Sequence, residues 1–141
     1  MQRILGLDLG SRNIGIALSD PLGITAQGFR VLRRSEMGKD LAELAEIVCT
    51  HDVKAIVVGL PKNMNNSLGY QAEETIAFVE EMRSILPCEI VLWDERLTTK
   101  AAEMHLRDSG VKGPRRRGIV DMVAAVMILQ GYLDMLSAGN R

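Results

Sequence analysis

Ile4-Leu5-Gly6-Leu7-Asp8-Leu9-Gly10-Ser11-Arg12-Asn13-Ile14-Gly15-Ile16-Ala17-Leu18 is the stretch on which the fold turns. Two short apolar runs, 4–9 and 13–18, flank Gly10-Ser11-Arg12, a composition that suits a turn between strands. Residues 25–32 lack a helical period and read as a third strand, so three close-set strands predict an antiparallel meander. With a period of two, Leu5, Leu7 and Leu9 share one face of the first strand, and Ile4, Gly6, Asp8 and Gly10 share the other. An ionised carboxylate inside a central strand is costly unless it is paired or binds a metal. The glycines beside Asp8 on its own face leave open space for a cation or a substrate. The alternative is a structural aspartate hydrogen-bonded to a turn.

Beyond the meander the period changes. Leu41, Leu44, Ala45 and Val48 stand at i, i+3, i+4 and i+7, one stripe of a helix over 40–52. Residues 55–60 form a continuous β-branched run, the pattern of a strand buried on both faces. A loop rich in Asn and Gly covers 61–69. A helix over 70–86 turns Ala72, Ile76, Val79 and Leu86 inward and Glu73, Glu74, Glu80 and Glu81 outward, and Pro87 ends it. Residues 89–94 read as another buried strand. Thr98 or Thr99 caps a short helix with Ala102 and Leu106 on its apolar face. Three glycines, Pro114, Lys112, Arg115, Arg116 and Arg117 mark 109–118 as a mobile basic loop, and 119–136 as the final, strongly hydrophobic helix. Alternating strands and helices place the chain in the α/β class: a mixed sheet with helices on its faces, in one domain over 1–141.

The 141 residues are 47% hydrophobic and 25% charged, an average soluble composition able to bury one sizeable core. No uninterrupted apolar run reaches the roughly 18–20 residues that cross a bilayer, so no membrane association is expected. Asp8 arrives too early for a secretory signal, and Cys49 and Cys88 lack metal-ligand spacing; a reduced, cytoplasmic setting is expected. An aromatic content of 4% argues against a base-stacking platform. The net charge of −1 hides a strong asymmetry. Residues 1–34 hold five Arg and two Asp, 35–95 four basic and twelve acidic groups, and 96–141 eight basic and four acidic groups. Basic ends of +3 and +4 around a middle of −8 form one basic surface if the fold joins them; otherwise they coat solvated faces.

Three carboxylates stand out. Asp8 interrupts its strand. Asp94-Glu95 closes the strand over 90–93, at the carboxyl end where α/β sheets gather binding groups, although acids there also cap helices or pair with arginine. Asp121 shares a helical stripe with Ala124, Ala125, Ile128 and Tyr132; the helix dipole explains an acid in a first turn, but less well one on a stripe of small residues. Acids from three separate elements suit Mg²⁺ or Mn²⁺, which prefer oxygen ligands and leave room for phosphate oxygens. His51 and His105 have no partners at ligand spacing and read as surface or structural groups, and the eight methionines as core filler.

The segments Gly6-Leu7-Asp8-Leu9-Gly10-Ser11-Arg12-Asn13-Ile14-Gly15-Ile16-Ala17-Leu18-Ser19-Asp20, Val57-Val58-Gly59-Leu60-Pro61, Asp94-Glu95-Arg96-Leu97-Thr98-Thr99 with Ala102-Glu103, and Val120-Asp121-Met122-Val123-Ala124-Ala125 closely resemble the YqgF/RuvX family. This bacterial group is described as pre-16S rRNA nucleases and, earlier, as Holliday junction resolvases. The resemblance runs through essentially the whole chain, and its Asp-Glu-Arg-Leu-Thr-Thr block is the most specific part. It implies an RNase H-like fold with a five-stranded mixed sheet whose first three strands are antiparallel. It also implies a metal-dependent nuclease in which Asp8, Glu95 and Asp121 correspond to the family's acidic triad, with Arg12 and the 63–67 loop near the site. The family often has Gly where this chain has Asn66, a residue that tolerates the same turn. Gly28-Phe29 stands where Pro-Leu is common, with no evident bearing on the site.

On this reading Asp8, Glu95 and Asp121 hold two Mg²⁺ or Mn²⁺ ions, while Arg12, Asn63, Asn65, Arg96, Lys112, Arg115, Arg116 and Arg117 contact the nucleic-acid backbone. The expected reaction is phosphodiester hydrolysis at the 5′ end of the small-subunit rRNA precursor, in ribosome biogenesis. The first alternative is resolution of four-way DNA junctions, which needs two facing sites and hence a homodimer instead of a monomer. A phosphotransferase of the actin and sugar-kinase type also follows an Asp-x-Gly strand, but needs a second lobe. A non-catalytic nucleic-acid-binding module is the last alternative, and it would bind no divalent metal.

Overall fold

The computed structural model describes residues 2–61, 69–94 and 113–139, without the side chains of 113–118 and 139. Strands β1 (Arg3–Leu9), β2 (Asn13–Ser19) and β3 (Ala26–Arg33) are followed by helix α1 (Met37–Thr50), β4 (Val53–Leu60), helix α2 (Tyr70–Ile85), β5 (Glu89–Asp94) and helix α3 (Gly113–Gly139). The five strands form one sheet in the order β3-β2-β1-β4-β5. The first three are antiparallel, and β1, β4 and β5 run parallel. Both features agree with the sequence reading.

Alternation along β1 sorts the molecule into two layers. Leu5 and Leu7 join Ile14, Ile16, Leu18, Ile56 and Val58 beneath α1 and α2, where Leu44, Phe78 and Met82 complete a core of large side chains. The opposite face carries Ile4, Ala17, Ala55 and Val57 against Ala125, Ile128, Leu129 and Leu133 of α3. Small residues on that face bring the helix close. A Cβ on Gly6 would lie 2.7 Å from the Leu129 Cβ, and one on Gly28 would lie 3.1 Å from the Met122 sulfur.

Two expectations are corrected. Helix α1 starts at Met37, not at residue 40, and Asp40 lies in its first turn. From inside the first turn its carboxylate reaches back to accept from the Ser35 N–H (3.2 Å) and hydroxyl (3.3 Å). The basic stretch 113–118 opens α3 instead of forming a loop. Pro114 sits in the first turn, where a helix needs no N–H donor from it, so proline there starts a helix without breaking one. Ile119–Ala138, at 20 residues and a mean hydropathy of 1.7, is long and apolar enough to cross a membrane by length and composition. Here its inner stripe packs on the sheet, with Ala124, Ala125, Ile128, Leu129, Tyr132 and Leu133 all buried. The short helix expected after Thr98 lies outside the described residues.

Candidate active site

Asp8 stands near the carboxyl end of the central strand, paired across the ladder with Gly15 of β2. It is 5% exposed and faces α3. Asp121 arrives from that helix, on the stripe that also buries Ala124, Ala125 and Ile128. The seat for Asp121 is glycine. A Cβ on Gly15 would lie 1.9 Å from the Asp121 carbonyl oxygen and 2.6 Å from the Met122 nitrogen, so only glycine lets the helix backbone settle on β2. A Cβ on Gly10 would stand 3.0 Å from each Asp121 carboxylate oxygen. The bare Cα of Gly10 therefore keeps open the space in front of the carboxylate.

The two acids are hydrogen-bonded to each other, and Asp121 is pushed up to about 8. Burial is the first cause; the Asp8 charge and the hydrogen bond to Asp8 add to it. Two carboxyls so placed share a proton at neutral pH unless a cation replaces it. The donor set is hard and anionic, and the glycine cradle leaves room beside it, so the residues present fit a divalent oxygen-seeking cation. Histidine and cysteine contribute nothing to this pair. Among the described residues no group of three His, Cys, Asp or Glu side chains converges on one point.

The β1–β2 turn beside the pair is held from β3. Gly10 donates its N–H to the Asn13 carbonyl at 2.9 Å, and the Arg34 N–H is donated to the Arg12 carbonyl at 2.8 Å. The Arg34 guanidinium donates to the Gly10 carbonyl at 2.9 Å and lies 5.4 Å from the Phe78 ring centroid. One arginine thus grips the turn through both its backbone and its side chain. Sequence reasoning missed Arg34: it sits one residue past a strand, and its only signal was membership of the basic first segment.

Of the expected site residues, the structure brings Asp8 and Asp121 together and leaves Arg12 exposed on the adjoining turn. Asp94 ends β5 beside Leu60, exposed. Glu95, Arg96, Asn63, Asn65 and Lys112 lie outside the described residues. Arg115, Arg116 and Arg117 belong to the first turns of α3, with undescribed side chains. His51 follows α1 and meets the Phe29 ring edge-on at 4.9 Å, a structural role as expected.

Residues 2–135 match the family model described as RuvX, Holliday junction resolvase. A relative from Halalkalibacterium halodurans is 52% identical over 134 residues, covering 94% of this chain and 96% of its own length. Another, from Desulforamulus reducens, is 49% identical over 132 residues with the same coverage. Both carry the name "Putative pre-16S rRNA nuclease". Among solved structures, Thermus thermophilus RuvC in complex with a Holliday junction substrate superposes with a TM-score of 0.62 at 16% identity, covering 98% of this chain and 97% of that one. The fowlpox virus resolvase with junction DNA gives 0.58 at 10% identity, covering 96% and 99%. These likenesses show the fold, the RNase H-like arrangement expected from the sequence.

Proposed function

The chain belongs to the RuvX family and is a nuclease, and on that premise we propose that it trims the 5′ end of pre-16S rRNA. The observation that carries the catalytic assignment is the contact of buried Asp8 with half-buried Asp121, two acids from elements at opposite ends of the sequence. Such a contact is unfavourable for stability alone, because like charges out of water raise each other's pKa. Its use is to hold positive charge.

Asp8 and Asp121, with Glu95 as third ligand, would hold Mg²⁺ or Mn²⁺. A pair of such ions supplies Lewis-acid activation of water and charge stabilisation at the leaving oxygen. The chain's own contribution is geometric and electrostatic. Asp8 is fixed by the ladder pairing of its backbone, and Asp121 by the helix seated on Gly15. Gly10 keeps the approach open. Arg12, Arg96, Lys112 and Arg115–Arg117 would contact backbone phosphates, Asn63 and Asn65 would join them, and base stacking would contribute little. A cytoplasmic location accords with two free cysteines, one exposed and one half-buried.

The family description favours a second reading, resolution of four-way DNA junctions. Incubating the protein with labelled precursor rRNA and with a labelled junction, each with Mg²⁺ or Mn²⁺, and mapping the product ends decides between them. The expected result is metal-dependent shortening of the rRNA 5′ extension. Symmetric nicking of the junction by a dimer, with the rRNA untouched, overturns it.

A further inference from the structure

Arg33 ends the edge strand β3 and Arg34 follows it, and alternation sends them to opposite faces of the sheet. Leu32 packs into the core beneath α1 and α2, and Arg34 lies over Phe78 of that same core. Val31 pairs with Gly15 and Arg33 with Asn13, on the face where Gly15 receives Asp121. Arg33 therefore stands on the α3 face, in the rung that crosses β2 at Asn13 and reaches Gly10 on β1.

Arg33 is exposed, and among the described residues it has no ion pair or hydrogen bond of its guanidinium. Two strand spacings of about 4.8 Å put its Cα about 10 Å from Gly10, where a Cβ would lie 3.0 Å from the Asp121 carboxylate oxygens. Successive phosphates on one strand advance about 3.4 Å along the helix axis, so this offset is at most about three nucleotide steps. Its backbone is anchored: Asn13 pairs it within the ladder, and the next residue, Arg34, is tied to the turn at both Arg12 and Gly10. A cation on a fixed backbone, without an internal partner among the described residues and level with the Asp8–Asp121 pair, is suited to an anion outside the protein.

We propose that Arg33 is a phosphate-binding residue, holding a backbone phosphate of the nucleic-acid strand a few nucleotides from the one addressed by Asp8 and Asp121. The inference rests on the nuclease reading and adds an edge-strand arm to the substrate track. Arg30, exposed on the same strand, is the internal control. It pairs with Ile16, whose side chain belongs to the other face, and its guanidinium lies 5.1 Å from the Phe29 ring.

The test measures binding of labelled precursor rRNA and of a four-way junction in EDTA between 50 and 200 mM salt, for wild type, Arg33→Ala, Arg33→Lys and Arg30→Ala. Losing one phosphate contact makes the slope of log K against log salt shallower by about 0.7 for single strands and 0.9 for duplex. The advantage of wild type over Arg33→Ala therefore shrinks about threefold across that range. With Mg²⁺ present, KM rises and kcat holds; Arg33→Lys recovers much of the slope, and Arg30→Ala behaves as wild type. Unchanged affinity and slope in Arg33→Ala overturn the inference while leaving the nuclease reading intact, and so does an equal loss in Arg30→Ala. A wild-type protein with no salt-dependent binding to either substrate overturns both.

Discussion

Gly15→Ala is the sharpest perturbation of the active site that leaves every polar group in place. The added methyl would meet the Asp121 carbonyl oxygen at 1.9 Å and its carbonyl carbon at 2.1 Å. Ordinary contact between heavy atoms is about 3.5 Å, so helix and strand must part by at least about 1.5 Å. The obstructing atoms are backbone in the middle of a helix, and no rotamer relieves them. Overpacking of this kind costs about 1–3 kcal/mol. For a domain of this size that is a fall in Tm of up to roughly 10 °C. The catalytic effect is larger: a misplacement of about 1 Å costs on the order of 100-fold in rate, and the displaced element carries Asp121. Gly10→Ala is the graded companion, since its methyl meets the Asn13 carbonyl at 2.8 Å and the Asp121 carboxylate oxygens at 3.0 Å. It should lower kcat with a smaller loss of stability. Gly38→Ala, whose methyl meets nothing within 4 Å, should match or exceed wild-type stability. The assay pairs denaturant unfolding with kcat on the preferred substrate. Wild-type stability and turnover in Gly15→Ala would refute the claim that close seating of α3 on β2 creates the site.

Asp8→Asn should keep the fold, by circular dichroism and unfolding midpoint, yet lose at least about 100-fold in Mg²⁺-dependent cleavage, because several kcal/mol of charge stabilisation go with the carboxylate. The raised Asp121 pKa carries a definite sign: folded protein binds a proton that unfolded protein releases between the ordinary aspartate value of 3.8 and about 8. Stability of the metal-free protein should therefore fall as pH rises through that window; melting in EDTA should show Asp121→Asn abolishing the slope and Mg²⁺ stabilising most at the alkaline end. Arg34→Ala removes a charged donor from the Gly10 carbonyl and should cost about 1.5–3 kcal/mol, read as a lower unfolding midpoint. Because it acts through the turn, it should lower kcat more than it raises KM.

The sequence revealed those features whose cause is local. Alternation in β1 placed Asp8 on the face opposite Leu5 and Leu7, and the stripe through Ala124, Ala125 and Ile128 turned Asp121 toward the sheet; the structure bears out both. Two misreadings came from local signals with a second meaning. Glycine, proline and arginine together look like a loop, but proline in a first turn and arginine in a helix are also compatible with α3 from Gly113. The helical stripe begins to be legible at Leu41, yet α1 begins at Met37: Met37, Gly38 and Lys39 are exposed, and the buried stripe marks only where packing starts. What could not be read at all is contact across long sequence separations. Nothing in the residues around Gly10 or Gly15 says that the missing methyls face Asp121, and nothing around Arg34 says that its guanidinium reaches back to a carbonyl on the first turn.

The unequal faces of the sheet follow from that long-range contact. Beneath α1 and α2 the strands present Leu, Ile and Val, and burying such side chains gives about 1.5–3 kcal/mol each, so this layer supplies most of the stability. On the α3 face Ile4 and Val57 share the layer with Gly6, Gly15, Ala17, Gly28 and Ala55, small residues that bury little. A layer built for stability would place larger residues there and carry the helix farther out. Moving α3 outward, however, would separate Asp121 from Asp8 and remove the reason for tolerating two acids in contact. Filling the small positions should therefore weaken the acid pair before it unfolds the domain. The net charge of −1 obeys the same division: Asp8 is buried and Asp121 half-buried between the sheet and α3, while Arg12 and Arg33 stand exposed near them. On the proposed function, a nucleic acid approaching that edge would meet the arginines before the carboxylates, so that local field, and not total charge, would govern its capture.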